Sequence, residues 1–144
     1  MASETSIQSD IIDYINSLPQ GRAENVSGNA QQSGRADINA CIKGKTFKIE
    51  VKTEDTAYGR KGMTTKQRLY LEKWARAGAV SCVVYSVEDV KWIVQRVTRR
   101  VLGNYLFEEG KTSMSFRYIK DEFKLSGRGK WYDVQNKRWV DISY

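Results

Sequence analysis

Two short alternating segments around Lys43-Gly44 constrain the fold of this 144-residue chain more than any other stretch. Before the pair, Ile38, Ala40 and Ile42 alternate with Asp37, Asn39 and Cys41; after it, Phe47, Ile49 and Val51 alternate with Lys48, Glu50 and Lys52. Alternation with period two sets each apolar group on one face of a strand. Lys43-Gly44 supplies a two-residue turn, so residues 35–52 predict a β-hairpin. Such a turn pairs Ile38 with Ile49 and Ala40 with Phe47, and apolar meets apolar. The same register sets Asp37 directly opposite Glu50.

Facing carboxylates across two strands lie about 5 Å apart at their Cβ atoms, and like charges so placed are destabilising. A divalent cation neutralises such a pair and gains oxygen ligands. Lys52 follows Glu50 by two residues and projects from the same sheet face. Two acids and a base around one spot suit metal-assisted phosphoryl chemistry, with Lys52 holding or deprotonating a water, or stabilising charge on the phosphate. Against this stands the plain reading of Lys48-Ile49-Glu50-Val51-Lys52 as the wet face of an antiparallel sheet.

The hairpin sits in an alternating α/β context. Ile7, Ile11, Ile15 and Leu18 fall on one helical face, which predicts a helix over residues 3–18 ended by Pro19. Glu4 lies on that same stripe, and Gln8 follows one turn later. Residues 19–34 are rich in Gly, Asn, Gln and Ser and predict a loop with one short strand near Ala23 to Val26. A second helix is predicted over 64–78, capped by Thr64 or Thr65 and followed by Gly78, with Gln67, Tyr70, Leu71 and Trp74 on one face. Residues 79–85 predict a buried strand, and Ser86-Val87-Glu88-Asp89 starts a third helix over about 88–101. Trp131 to Val134 and Arg138 to Asp141 predict a second hairpin around Gln135-Asn136-Lys137, its aromatics read as core or interface in preference to a base-stacking platform.

The chain has no histidine. That excludes Ser-His-Asp hydrolases, HNH and HUH nucleases, phospholipase-D-type enzymes and nearly all zinc enzymes. Carboxylates without imidazole favour the hard cations Mg²⁺ or Mn²⁺. Cys41 and Cys82 both lie in strand-like apolar stretches and read as reduced core residues of a cytoplasmic protein. No segment approaches the ~18 apolar residues of a membrane span, and the first ten residues have no secretory-signal pattern.

At the motif level, Gly34-Arg35-Ala36-Asp37, Glu50-Val51-Lys52 and Thr65-Lys66-Gln67, followed by Ala77-Gly78 and Val83-Val84-Tyr85-Ser86-Val87-Glu88, resemble the VRR-NUC branch of the PD-(D/E)XK nucleases. Glu4-Thr5-Ser6-Ile7-Gln8 is similar to that family's opening motif, and the resemblance spans about residues 3–95. It implies an α-β-β-β-α-β core, a restriction-endonuclease-like mixed sheet flanked by helices, and Mg²⁺- or Mn²⁺-dependent cleavage of DNA. It also implies roles: Asp37, Glu50 and the Val51 main-chain carbonyl as metal ligands, Lys52 as the catalytic lysine, Glu4 as an outer or water-mediated carboxylate, and Gln67 orienting the site or touching the DNA backbone. Relatives of this stand-alone size are similar to phage-encoded enzymes, which would act in the host cytoplasm. They dimerise in the manner of Holliday-junction resolvases, so the resemblance implies a homodimer and branched DNA.

The formal net charge is +7, and it is uneven. Residues 1–90 hold 12 Lys/Arg against 11 Asp/Glu; residues 91–144 hold 12 against 6, which leaves six of the seven positive charges in the last third. A polyanion such as nucleic acid is the partner this suggests. One set of candidate DNA contacts is Arg60, Lys61, Lys66 and Arg68. A second is Arg128, Lys130, Lys137 and Arg138 around the aromatic hairpin, with Arg96, Arg99 and Arg100 as a third patch. The expected organisation is a nuclease core over 1–95 and a basic C-terminal extension over 96–144, a β-hairpin packed on the same domain. The competing reading is a basic module that binds nucleic acid without cutting it.

Overall fold

A computed structural model describes residues 3–26, 35–53, 63–102 and 129–142. Six strands form one mixed sheet in chain order: β1 (Gly21–Asn25), β2 (Ile38–Ile42), β3 (Lys45–Val51), β4 (Val80–Val84), β5 (Lys130–Asp133) and β6 (Arg138–Asp141). Among the described residues three helices accompany it: α1 (Glu4–Ser17) before β1, α2 (Thr65–Arg76) between β3 and β4, and α3 (Val87–Leu102) after β4. All neighbouring strands pair antiparallel except β3 and β4, which run parallel. A parallel pair needs a crossover, and α2 supplies it.

The first hairpin follows the expected register, with Ile38 opposite Ile49 and Ala40 opposite Phe47. Lys43 and Gly44 both take positive φ, at 46° and 83°, the primed turn whose twist matches the flanking strands. Ile38, Ala40, Ile42, Phe47, Ile49 and Val51 thus share one face. Ile7, Ile11 and Ile15 of α1 pack on that face with Val90, Ile93 and Val94 of α3, and this is the main core. A smaller core of Ala36, Leu71 and Val83 lies on the opposite face, beneath α2.

Local chemistry sets the element ends. Ser3 caps α1 by accepting from the Ser6 amide at 3.1 Å. Thr64 and Gln67 form a reciprocal capping box on α2: the Gln67 amide donates to Thr64 Oγ1 at 3.1 Å, and the Thr64 amide donates to Gln67 Oε1 at 3.0 Å. At α3 the Asp89 amide donates to Ser86 Oγ at 3.3 Å, while Asp89 Oδ2 accepts from the Tyr85 amide at 2.8 Å. Gly129 passes so close to this cap that a Cβ there would stand 2.7 Å from Asp89 Oδ2.

One expectation needs correction. Cys41 is exposed, not core. It is the odd position of β2, so it points away from the face filled by Ile38, Ala40 and Ile42; Cys82 is buried as expected. On α2, Leu71 is buried while Trp74, on the same side of the helix, keeps 40% of its surface exposed. Among the described residues, no helix is long and apolar enough to cross a membrane.

Candidate active site

β3 presents Lys48 and Glu50 on the face that carries α2, Lys52 follows just past the strand's end, and all three are buried. The strand ladder ends at Ile38–Ile49, so Asp37 stands just beyond the last pair and is not a strand partner of Glu50. Its side chain takes over from the missing ladder: Asp37 Oδ2 accepts from the Val51 amide at 2.8 Å. The Asp37 main chain stays anchored, its carbonyl accepting from the Val26 amide at 2.9 Å. Asp37 and Glu50 nonetheless stand close enough to shift each other's ionisation.

Around Glu50 the partners are few. Gln67 Nε2 donates to Oε1 at 2.9 Å, and Lys52 Nζ stands 3.7 Å from the same oxygen. Oε2 is buried with no hydrogen-bond partner. A buried carboxylate with one bare oxygen is costly, so it holds a proton or attracts a cation. Burial, then the charge of Asp37, pushes the Glu50 carboxyl up to about 9, against the opposing pull of Lys52. Burial also raises Asp37, opposed by the Val51 hydrogen bond, by its contact with Glu50 and by the charge of Lys52. Glu4, at the first turn of α1, is raised by burial and then by the charge of Asp37, with Lys52 opposing. Glu4, Asp37, Glu50 and Lys52 thus lie within electrostatic reach of one another. Among the described residues no three His, Cys, Asp or Glu side chains form a ready-made cage. Mg²⁺ needs none, since it binds through one or two carboxylates and retains waters.

Gln67 sits where the motif predicted and has a second role there. One amide group caps α2 through its oxygen and holds Glu50 through its nitrogen. Glu72 was not predicted. It is buried and accepts from Arg68 Nη1 at 2.9 Å and from Trp139 Nε1 at 2.8 Å, which ties β6 to α2. Its one sequence signal was the i, i+4 spacing from Arg68.

The candidate DNA contacts divide. Lys66 and Arg68 are exposed on the first turn of α2, flanking Gln67. Lys130 lies in register with Val83, itself the partner of Glu50, and pairs with Asp141. Lys137 and Arg138 are exposed at the far end of the same hairpin, three or more residues along the strands from Lys130, roughly 10 Å or more away. The hairpin cations therefore do not form one patch. Arg60, Lys61, Arg128 and residues 27–34 lie outside the described residues, as do the side chains of Arg96, Arg99 and Arg100.

No family model matches the sequence, and no curated protein does. Two solved structures are similar. One is a "VRR_NUC domain", with TM-score 0.52 and 23% identity over 65% of this chain and 95% of that one. The other is a "VRR_NUC domain protein", with TM-score 0.51 and 18% identity over 67% of this chain and 88% of that one. The described sheet and its α2 crossover thus have the fold of these two VRR_NUC domains.

Proposed function

We propose that this protein is a Mg²⁺- or Mn²⁺-dependent endonuclease that hydrolyses phosphodiester bonds of DNA, with branched DNA as its preferred substrate. The observation that carries the reading is the buried Glu50, whose Oε2 has no partner although Asp37 and Lys52 stand beside it. Asp37 and Glu50 would hold the cation. The Val51 carbonyl would join them, since a strand residue turns its N–H and C=O to the same side and the Val51 amide already faces Asp37. Once bound, such a cation supplies Lewis-acid polarisation of a phosphoryl oxygen and lowers the pKa of water.

The remaining work belongs to the chain. Gln67 fixes Glu50 by one oxygen and leaves the other turned to the site. Lys52 carries donors only and is held against Glu50, so it orients the attacking water or binds the phosphate oxygen on which charge builds. Glu4, at the rim, accepts hydrogen bonds from outer waters. Lys66 and Arg68 flank Gln67 and would steer the DNA backbone. Two such sites related by a two-fold axis would cut both strands, so a homodimer is part of the proposal.

The test is cleavage of linear duplex, flap and four-way junction side by side, with Mg²⁺, with Mn²⁺ and with chelator. Metal-dependent cutting is expected, strongest on branched substrates, and abolished in Glu50→Ala and Asp37→Ala. Lys52→Ala should lose cleavage but keep metal binding. Binding of DNA with no cleavage under any metal would make the protein a binding module. Full cleavage by Glu50→Ala would overturn the site.

A further inference from the structure

We infer that Trp74 is a stacking platform for an unpaired nucleotide of the substrate, close to the phosphodiester that is cut. The inference rests on the nuclease reading above and adds a substrate feature to it. Gln67, Tyr70 and Trp74 follow spacings of three and four, so they form one stripe along α2. The stripe runs beside the β3 row of Glu50 and Lys48. Gln67 meets Glu50 at one end, and Trp74 meets Lys48 at the other, with Lys48 Nζ 3.8 Å from the Trp74 ring centroid and 6.0 Å from that of Tyr70.

Lys48 is itself fixed. It is buried, and its Nζ donates to Asn39 Oδ1 at 2.7 Å. The ammonium therefore props one face of the Trp74 ring, while the residue as a whole keeps 40% of its surface exposed. This is a rigid aromatic plate, backed by a cation and presented to solvent. An apolar partner would not match its surroundings. α2 carries Lys66, Arg68, Lys73 and Arg76, and its one acid, Glu72, is already paired with Arg68. A flat π-surface among cations fits a nucleobase on a phosphate backbone. The base must be unpaired, because a duplex hides its base faces in its own stack. Lys48 lies two residues from Glu50 along β3, about 7 Å, and Trp74 lies seven residues from Gln67 along α2, about 10 Å. At about 3.4 Å per stacked base, the plate sits roughly two or three nucleotides from the acid pair.

The test uses the full chain in chelator, so that nothing is cut, with a fluorescent hexathymidine strand and a blunt duplex of matched length. Trp74→Ala should weaken single-strand binding by roughly 5- to 150-fold, the range for loss of one stacked base. Trp74→Phe should recover most of it, and an abasic site in the strand should erase the difference between wild type and Trp74→Ala. Duplex binding should stay within about twofold. Circular dichroism confirms that the variants fold. Unchanged single-strand binding in Trp74→Ala would overturn the inference, as would equal loss on strand and duplex, or a change in oligomeric state at unaltered affinity, which would assign the plate to a protein partner. None of these readouts requires cleavage, so failure of the nuclease reading would show separately, in the metal-dependent assay.

Discussion

Gln67 serves two masters with one amide, and Thr64 allows the two roles to be separated. Thr64→Ala removes only the cap and should cost about 1 kcal/mol, or roughly 4 °C in Tm, with cleavage largely kept. Gln67→Ala removes the cap-side acceptor and also leaves Glu50 Oε1 with Lys52 alone. It should lose similar stability and, in addition, most cleavage; equal activity in both variants would show that the Glu50 contact is idle. Glu50 also makes a prediction about pH. Its folded value of about 9 lies above the ordinary 4.5, so between those limits the folded state binds the extra proton. Stability without metal must then fall as pH rises from about 4.5 to about 9, and level off above. Asp37 and Glu4 are raised as well and act in the same direction. A melting series in chelator should show this decline, flattened in Glu50→Gln. Mg²⁺ should raise the melting temperature more at pH 8 than at pH 5.5, because proton and cation compete for one carboxylate. A parallel decline in Glu50→Gln would refute the assignment.

At the level of elements, the α2–β6 junction shows what the sequence carried and what it hid. The period-two and period-three-to-four patterns were strong enough to place α1, the first hairpin, α2 and β4 within a residue or two, because each buries a face that its own sequence repeats. Asp37, Glu50, Lys52 and Gln67 were legible for the same reason, since hairpin register and motif spacing are local. The position of β5 and β6 was not local. That they join β4 at the sheet edge depends on Cys82 meeting Trp131 and Val83 meeting Lys130, contacts nearly fifty residues apart in sequence. Glu72 was equally illegible, because a lone acid on a basic helix looks solvated until Trp139 arrives to bond it. Cys41 was misread because it falls on the face of β2 opposite the core residues Ile38, Ala40 and Ile42. The junction can be tested. Trp139→Phe keeps the ring against Tyr132, 5.3 Å away, but removes the donor to buried Glu72. It should cost about 1–3 kcal/mol. Hydrogen exchange should rise first in β6, with α2 and cleavage less affected. Unchanged stability would mean that Arg68 alone satisfies Glu72.

For the molecule as a whole, the proposed nuclease reading raises the question of which cations would meet DNA. Most of the net charge lies in the last third of the chain, and the sheet order places the cations of its described hairpin. β5 runs antiparallel to β4, so Lys130 returns to the end of the sheet that holds Glu50, while Lys137 and Arg138 are carried to the opposite end. Lys66 and Lys73 are exposed on α2, next to the acid pair and the Trp74 plate. In a single copy, a DNA backbone engaged at Asp37 and Glu50 meets the α2 cations before it can reach the hairpin turn. Each phosphate contact steepens the log–log fall of affinity with salt by about 0.9 on duplex DNA. Replacing Lys66 and Lys73 together with Gln should therefore flatten that slope by roughly 1.8, uniformly across sequences. Replacing Lys137 and Arg138 should leave it unchanged if one copy binds alone. If two copies form the active species and their far ends converge on one substrate, the second pair should flatten the slope too, and light scattering on the free protein should report a dimer at micromolar concentration. A flattened slope from Lys137 and Arg138 in a protein that stays monomeric with and without DNA would contradict this geometry, because no path from the acid pair would then account for the contact.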